Sequence, residues 1–125
     1  MSALLVALGS ALGGLARHGC VLLGSELFGA AFPWGTLAVN ILGSAAVGAF
    51  AGWFSGGAPE PAGARQFFVI GFCGGFTTFS AFSLQALELA MLGAWLRAAR
   101  SVAGSVVLCL AAVALGWVAS AGLRP

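Results

Sequence analysis

Of the 125 residues, 61% are hydrophobic and 6% charged, with a net charge of +2 and a mean hydropathy of +1.08. A soluble domain carries roughly 25% charged residues, so these values exclude one, and a weak charge without a basic run excludes a nucleic-acid binder. The length holds four crossings of about 20 residues each and no separate extramembrane domain, so the chain reads as an all-α membrane protein whose chemistry must happen within the bilayer.

Segment one is expected over about residues 2–23. Its apolar run is longer than a leader's and lacks a basic n-region, so it reads as a span. Gly9, Gly13 and Gly14 give it a small-residue face for close packing. Arg17 is its one charge, roughly 9 Å from the expected end at 1.5 Å per residue. It either snorkels to the interface or lines a wet vestibule that draws anions inward. His18 beside it reads as a headgroup-level residue.

After a loop carrying Glu26, segment two is expected over 34–54. Trp34 and Trp53 stand about 28 Å apart along such a helix and suit the two aromatic belts of a bilayer. Ser44, Gly48 and Gly52 form a second small-residue stripe. Asn40 is the outlier, a strong polar group about a third of the way in. It is either an interhelical hydrogen bond or a donor to something passing through.

The turn-rich run Ser55-Gly56-Gly57-Ala58-Pro59-Glu60-Pro61 closes the hairpin. Segment three, about 65–92, is too long for one straight crossing. It holds Gly71-Phe72-Cys73-Gly74-Gly75-Phe76-Thr77-Thr78-Phe79-Ser80-Ala81-Phe82-Ser83, in which glycines and paired threonines point to a helix broken at 74–78. In lipid an unpaired backbone group costs several kcal/mol, so a break survives only against protein or a wet cavity. Such breaks aim free carbonyls and helix-end N–H groups at ions. Phe79, Phe82 and Ser83 share one face beyond the break, with Thr78 one turn before Phe82. They read either as aromatic packing or as phenyl edges whose positive rim stabilises a small anion. The glycine spacing does not match a phosphate-binding G-x-G-x-x-G.

Segment four is expected over about 96–122, with Arg97 and Arg100 at its start and Trp95 and Trp117 about 33 Å apart. Ser101, Ser105 and Cys109 recur every four residues as a weakly polar stripe. Cys20, Cys73 and Cys109 are odd in number, lack a C-x-x-C and read as small buried hydrophobes. With four crossings, Arg65 and Arg124 fall on one side and Arg97 and Arg100 on the other, joined there by Arg17 if it counts. The positive-inside rule therefore gives almost no instruction. Insertion in both orientations, paired as an antiparallel dimer, is the expected consequence.

Three stretches together resemble the Fluc (CrcB) family of fluoride channels: Gly13-Gly14-x-x-Arg17, Trp34-Gly35-Thr36-x-x-Val39-Asn40-x-x-Gly43, and the 71–83 run. The resemblance implies a passive fluoride channel in the plasma membrane, a dual-topology antiparallel homodimer with two pores. It also implies a central structural Na+ held by the backbone carbonyls of Gly74 and Thr77 from both subunits. Asn40, Thr78, Phe79, Ser80 and Phe82 match the family's pore residues, Ser105 matches a serine of its fourth-segment polar track, and Arg17 falls at the vestibule. Two positions depart from the family pattern: Ser101 replaces a tyrosine of that track, and Gln85 replaces a common glutamate. The competing readings are a small multidrug transporter, which needs an intramembrane carboxylate that the first three segments lack at depth, and a purely structural membrane subunit.

Overall fold

The computed structural model describes residues 1–123, and Arg124 lies outside the described residues. Four helical spans long and apolar enough to cross a membrane account for most of the chain: Ser2–Phe28, Trp34–Phe54, Arg65–Met91 and Trp95–Gly122. There is no strand among the described residues. The first span is α1 (Ser2–Phe28) and the second α2 (Trp34–Phe54). The third comprises a π-wound stretch Arg65–Cys73, a single turn α3 (Gly74–Phe76), and α4 (Phe79–Met91). The fourth is α5 (Trp95–Gly122). α1 runs on to Phe28 where the sequence suggested an end near Leu23. Arg17 therefore stands about 16 Å from the helix end at 1.5 Å per residue, deeper than expected.

Apolar side chains give helix packing little drive where lipid is equally apolar, so close backbone approach and hydrogen bonds hold such bundles. This chain follows that logic. Val39 and Cys73 are the largest fully buried side chains, while leucines along every span point outward. α2 packs chiefly on α5, and α1 on the first half of the third span. At the α2–α5 seam, a Cβ on Gly48 would strike the Val113 carbonyl, and one on Gly116 would strike the carbonyl of Ala45. At the second seam, Gly9 lies against the Phe67 carbonyl and the Phe72 N–H. Gly13 in turn lies against the Phe72 carbonyl and the Phe76 N–H. Gly9 and Gly13 of α1 and Gly48 and Gly52 of α2 thus meet backbone, whereas Gly14 has nothing within 4 Å and Ser44 faces a groove.

The third span is not wound uniformly. In the π-wound stretch the bonds run i→i+5, a pattern usually confined to single turns, and at its end the Gly74 N–H reaches the carbonyls of Gly71 and Val69. Helical winding continues through Gly74–Phe76, so the non-helical residues are Thr77 (φ −84°, ψ 159°) and Thr78 (φ −154°, ψ 120°) alone. Thr78 then caps α4, its Oγ1 accepting from the Ala81 N–H at 3.2 Å, a hydrogen bond typically worth about 1 kcal/mol to a helix. Gly93 turns the chain into α5 with φ +75°, a conformation only glycine adopts without strain.

Candidate functional site

The extended pair lies against α2, and Asn40 is what fastens it there. In an unbroken helix the Thr78 N–H would bond the carbonyl of Gly74, four residues back. It donates instead to Asn40 Oδ1 at 2.8 Å, while Asn40 Nδ2 donates to the Thr78 carbonyl at 3.0 Å. One amide side chain therefore satisfies both backbone groups of a residue that has left the helix, as a β-bridge would. An amide NH2 carries two donors, so a second N–H remains for a ligand. Thr77 is tied back to its own turn, with both its N–H and its hydroxyl donating to the Cys73 carbonyl at 2.9 Å.

Around this fastening lies a groove of about 490 Å³, walled by α2, α4, α5 and the extended pair. Asn40, Thr77, Thr78, Phe79, Phe82 and Ser105 all line it. Ser105 and Phe82 are buried at 7% and 8% exposure, whereas Phe79 is 78% exposed and stands at the rim. The two phenyl rings lean together, centroids 5.3 Å apart and planes tilted by 53°, so edges as well as faces are presented. The Thr78 and Ser80 hydroxyls lie 3.3 Å apart, which attaches Ser80 to the groove although it does not line it. α4 begins at the groove, so its first N–H groups and the positive end of its dipole lie there. None of the lining residues is ionisable as an acid or a base except the Cys109 thiol. The site is therefore a few neutral polar groups and two phenyl rings set among Val47, Val106, Leu110 and Val113, with no carboxylate to offer a cation.

Other candidates are placed differently. Gly74, Arg17 and Ser101 do not line the groove: Gly74 is exposed, Arg17 is half-buried on α1, and Ser101 is buried at 2% exposure against its neighbours. Cys109, Ser44 and Gly43 do line it. Gly43 is there for room, since a Cβ would meet the Thr77 methyl and lie 3.5 Å from the Phe76 ring. Its value could not be read from spacing alone, because the methyl it accommodates comes from another span. Among the described residues no group of three or more His, Cys, Asp or Glu is placed to hold a metal. The oxygens available to a cation are the backbone carbonyls at the end of α3. Diverting the Thr78 N–H to Asn40 removes the bond that would otherwise occupy the Gly74 carbonyl, and oxygen donors of this kind suit a hard cation.

A second cavity of about 280 Å³ lies at the membrane face where α1 ends and α2 begins, lined by Ser25, Thr36, Gln85 and Glu88 among others. Gln85 Oε1 is buried there without a hydrogen-bond partner among the described residues.

Fold and groove together define a small multi-pass membrane protein with an uncharged, mostly apolar groove that carries a few neutral polar groups. The family model for "CrcB-like protein, Camphor Resistance (CrcB)" matches residues 4–117, and the chain belongs to that family. Similar relatives are each named fluoride-specific ion channel FluC. That of Paramagnetospirillum magneticum is 53% identical, with 93% of this chain and 92% of the relative covered. That of Rhodospirillum rubrum is 50% identical over 94% and 93%, and that of Opitutus terrae 48% over 97% and 93%.

Proposed function

We propose that this chain is a fluoride-selective channel that lets the anion leave the cell passively across the plasma membrane. The observation that carries this reading is the groove itself: Asn40, Thr78, Phe79, Phe82 and Ser105 converge on it with no acid or lysine in the lining. Fluoride is small and strongly hydrated, so a narrow path must replace its water with closely placed donors. The free Asn40 N–H, the hydroxyls of Thr78, Ser80 and Ser105, the start of α4 and the phenyl rims supply them. No fixed cation in the lining traps the ion, and exit requires weak binding. The names carried by the relatives agree with this reading.

The working unit in this proposal is an antiparallel, dual-topology homodimer. In the single chain Phe79, Ser80 and Gly74 are exposed, and a second copy supplies the missing wall and closes the path from lipid. The Gly74 and Thr77 carbonyls of both copies would hold a Na+ ion, whose charge would draw these oxygens together across the dimer. Arg17, deep on α1, draws fluoride toward the entrance.

Purified protein in liposomes, monitored with a fluoride electrode, tests the reading. Fluoride efflux at least a hundredfold faster than chloride efflux is the expected result, and comparable rates for the two halides reject it.

A further inference from the structure

The first half of the third span carries a column of stacked rings that the groove does not use. Phe68 lies on Phe72 with centroids 6.0 Å apart and planes 10° from parallel, and Phe72 on Phe76 at 5.8 Å and 14°. From α2, Phe50 adds a fourth ring on Phe68 at 5.8 Å and 20°. The Arg65 guanidinium covers Phe50 at 5.6 Å and is held in turn by Glu60 at 2.8 Å. The column thus runs from a charge pair at the membrane face to Phe76, the last helical residue before the extended pair.

Ring stacking and wide winding occupy the same stretch, and the stack continues to Phe76 in the α-wound turn that follows. On a helix of 3.6 residues per turn, positions four apart are offset by about 40°, so flat rings there do not stay in register. The i→i+5 winding of Arg65–Cys73 is wider and turns these positions back against that offset. The same winding brings the Phe67 carbonyl and the Phe72 N–H, five residues apart, against Gly9. A relaxation of this stretch to ordinary α-winding would turn everything downstream around the helix axis. Thr77 and Thr78 would then leave the helix at a different azimuth, away from Asn40.

We propose that Phe68, Phe72 and Phe76 are positioning residues: their stack holds the wide winding and thereby aims Thr77 and Thr78 at Asn40. The proposal concerns the backbone at the groove, and only its flux arm rests on the channel reading. Hydrogen exchange at the Thr78 amide, which reports its bond to Asn40, is the direct test on the full-length protein in nanodiscs. Phe72→Leu removes the flat ring and should accelerate Thr78 exchange at least tenfold, with amides of the α2–α5 seam unchanged. Phe72→Tyr keeps the ring and should exchange like wild type. Phe68→Leu, one turn further away, should act in the same direction and carries the test should Phe72→Leu fail to fold.

Thr78 exchange within twofold of wild type in the leucine variants overturns the proposal. So does a tyrosine variant as perturbed as the leucine one. Fluoride efflux should fall at least tenfold in Phe72→Leu and be retained in Phe72→Tyr. The predicted exchange pattern in a wild-type protein that passes no fluoride would reject the channel reading and leave the positioning role standing.

Discussion

Asn40 fastens the extended pair through both ends of its amide, and in the proposed pore it also donates to the ion. Its Oδ1 accepts from the Thr78 N–H and its Nδ2 donates to the Thr78 carbonyl. Asn40→Asp keeps the acceptor, deletes the donors and adds a negative charge to an uncharged groove. Fluoride efflux from liposomes should then stop while the protein still elutes as the folded species on size exclusion. Normal flux in that variant would reduce Asn40 to a fastener. Phe82, with 8% exposure at the groove, offers a second test. Phe82→Ile keeps apolar bulk and removes the electropositive ring edge, so flux should fall by two orders of magnitude or more in the same assay. An unchanged rate would remove the phenyl rim from the mechanism.

Between elements, the decisive contacts are made by the absence of side chains. Gly48 faces the Val113 carbonyl and Gly116 faces that of Ala45, so α2 and α5 approach through backbone along a seam that also carries one wall of the groove. Gly48→Ala forces the two helices apart, a form of overpacking that costs about 1–3 kcal/mol. Thermal melting in detergent should register that loss directly. By contrast, Gly104→Ala adds a methyl where nothing lies within 4 Å and should leave the melt unchanged or raise it slightly, alanine being the better helix former. A Gly48→Ala protein as stable as wild type would show that the seam has slack. Capping at the start of α4 acts on a smaller scale: Thr78→Val removes the hydroxyl that accepts from Ala81, at a cost of about 1 kcal/mol.

For the whole molecule, orientation in the bilayer is the open energetic question. Arg65 lies at one membrane face, while Arg97 and Arg100 sit near the start of α5 at the other. So slight an imbalance gives the positive-inside rule little to act on, as the proposed dual insertion requires. Two or three lysines added to the 55–61 turn should bias the chain toward one orientation, read by cysteine accessibility from each side. In the proposed antiparallel dimer this bias should cut channel activity. Co-expression with a chain biased the opposite way should restore it. A wild-type protein with a single fixed orientation would count against the dimer.

Hydropathy, the placement of tryptophans and the turn residues were enough to mark four spans, because crossing a bilayer demands long apolar runs whatever the neighbours are. Asn40 stood out for the same reason, as a polar group in apolar surroundings. Its partner did not, since a hydrogen bond between residues 38 apart depends on how two spans dock. The length of α1 was underestimated because Gly24 and Ser25 look like a stop, yet Gly24 is buried against the backbone of Gly35 and the helix runs on. The wide winding of Arg65–Cys73 was equally hidden: i,i+4 phenylalanines are compatible with ordinary α-helix, and the Phe50 ring and Gly9 backbone that this stretch meets belong to other spans. Composition and local pattern determined how many times this chain crosses and which residues are costly to bury. Packing between spans decided where the helix gives way, which donors face one groove and how much room they leave, because those depend on distances that no single stretch of sequence contains.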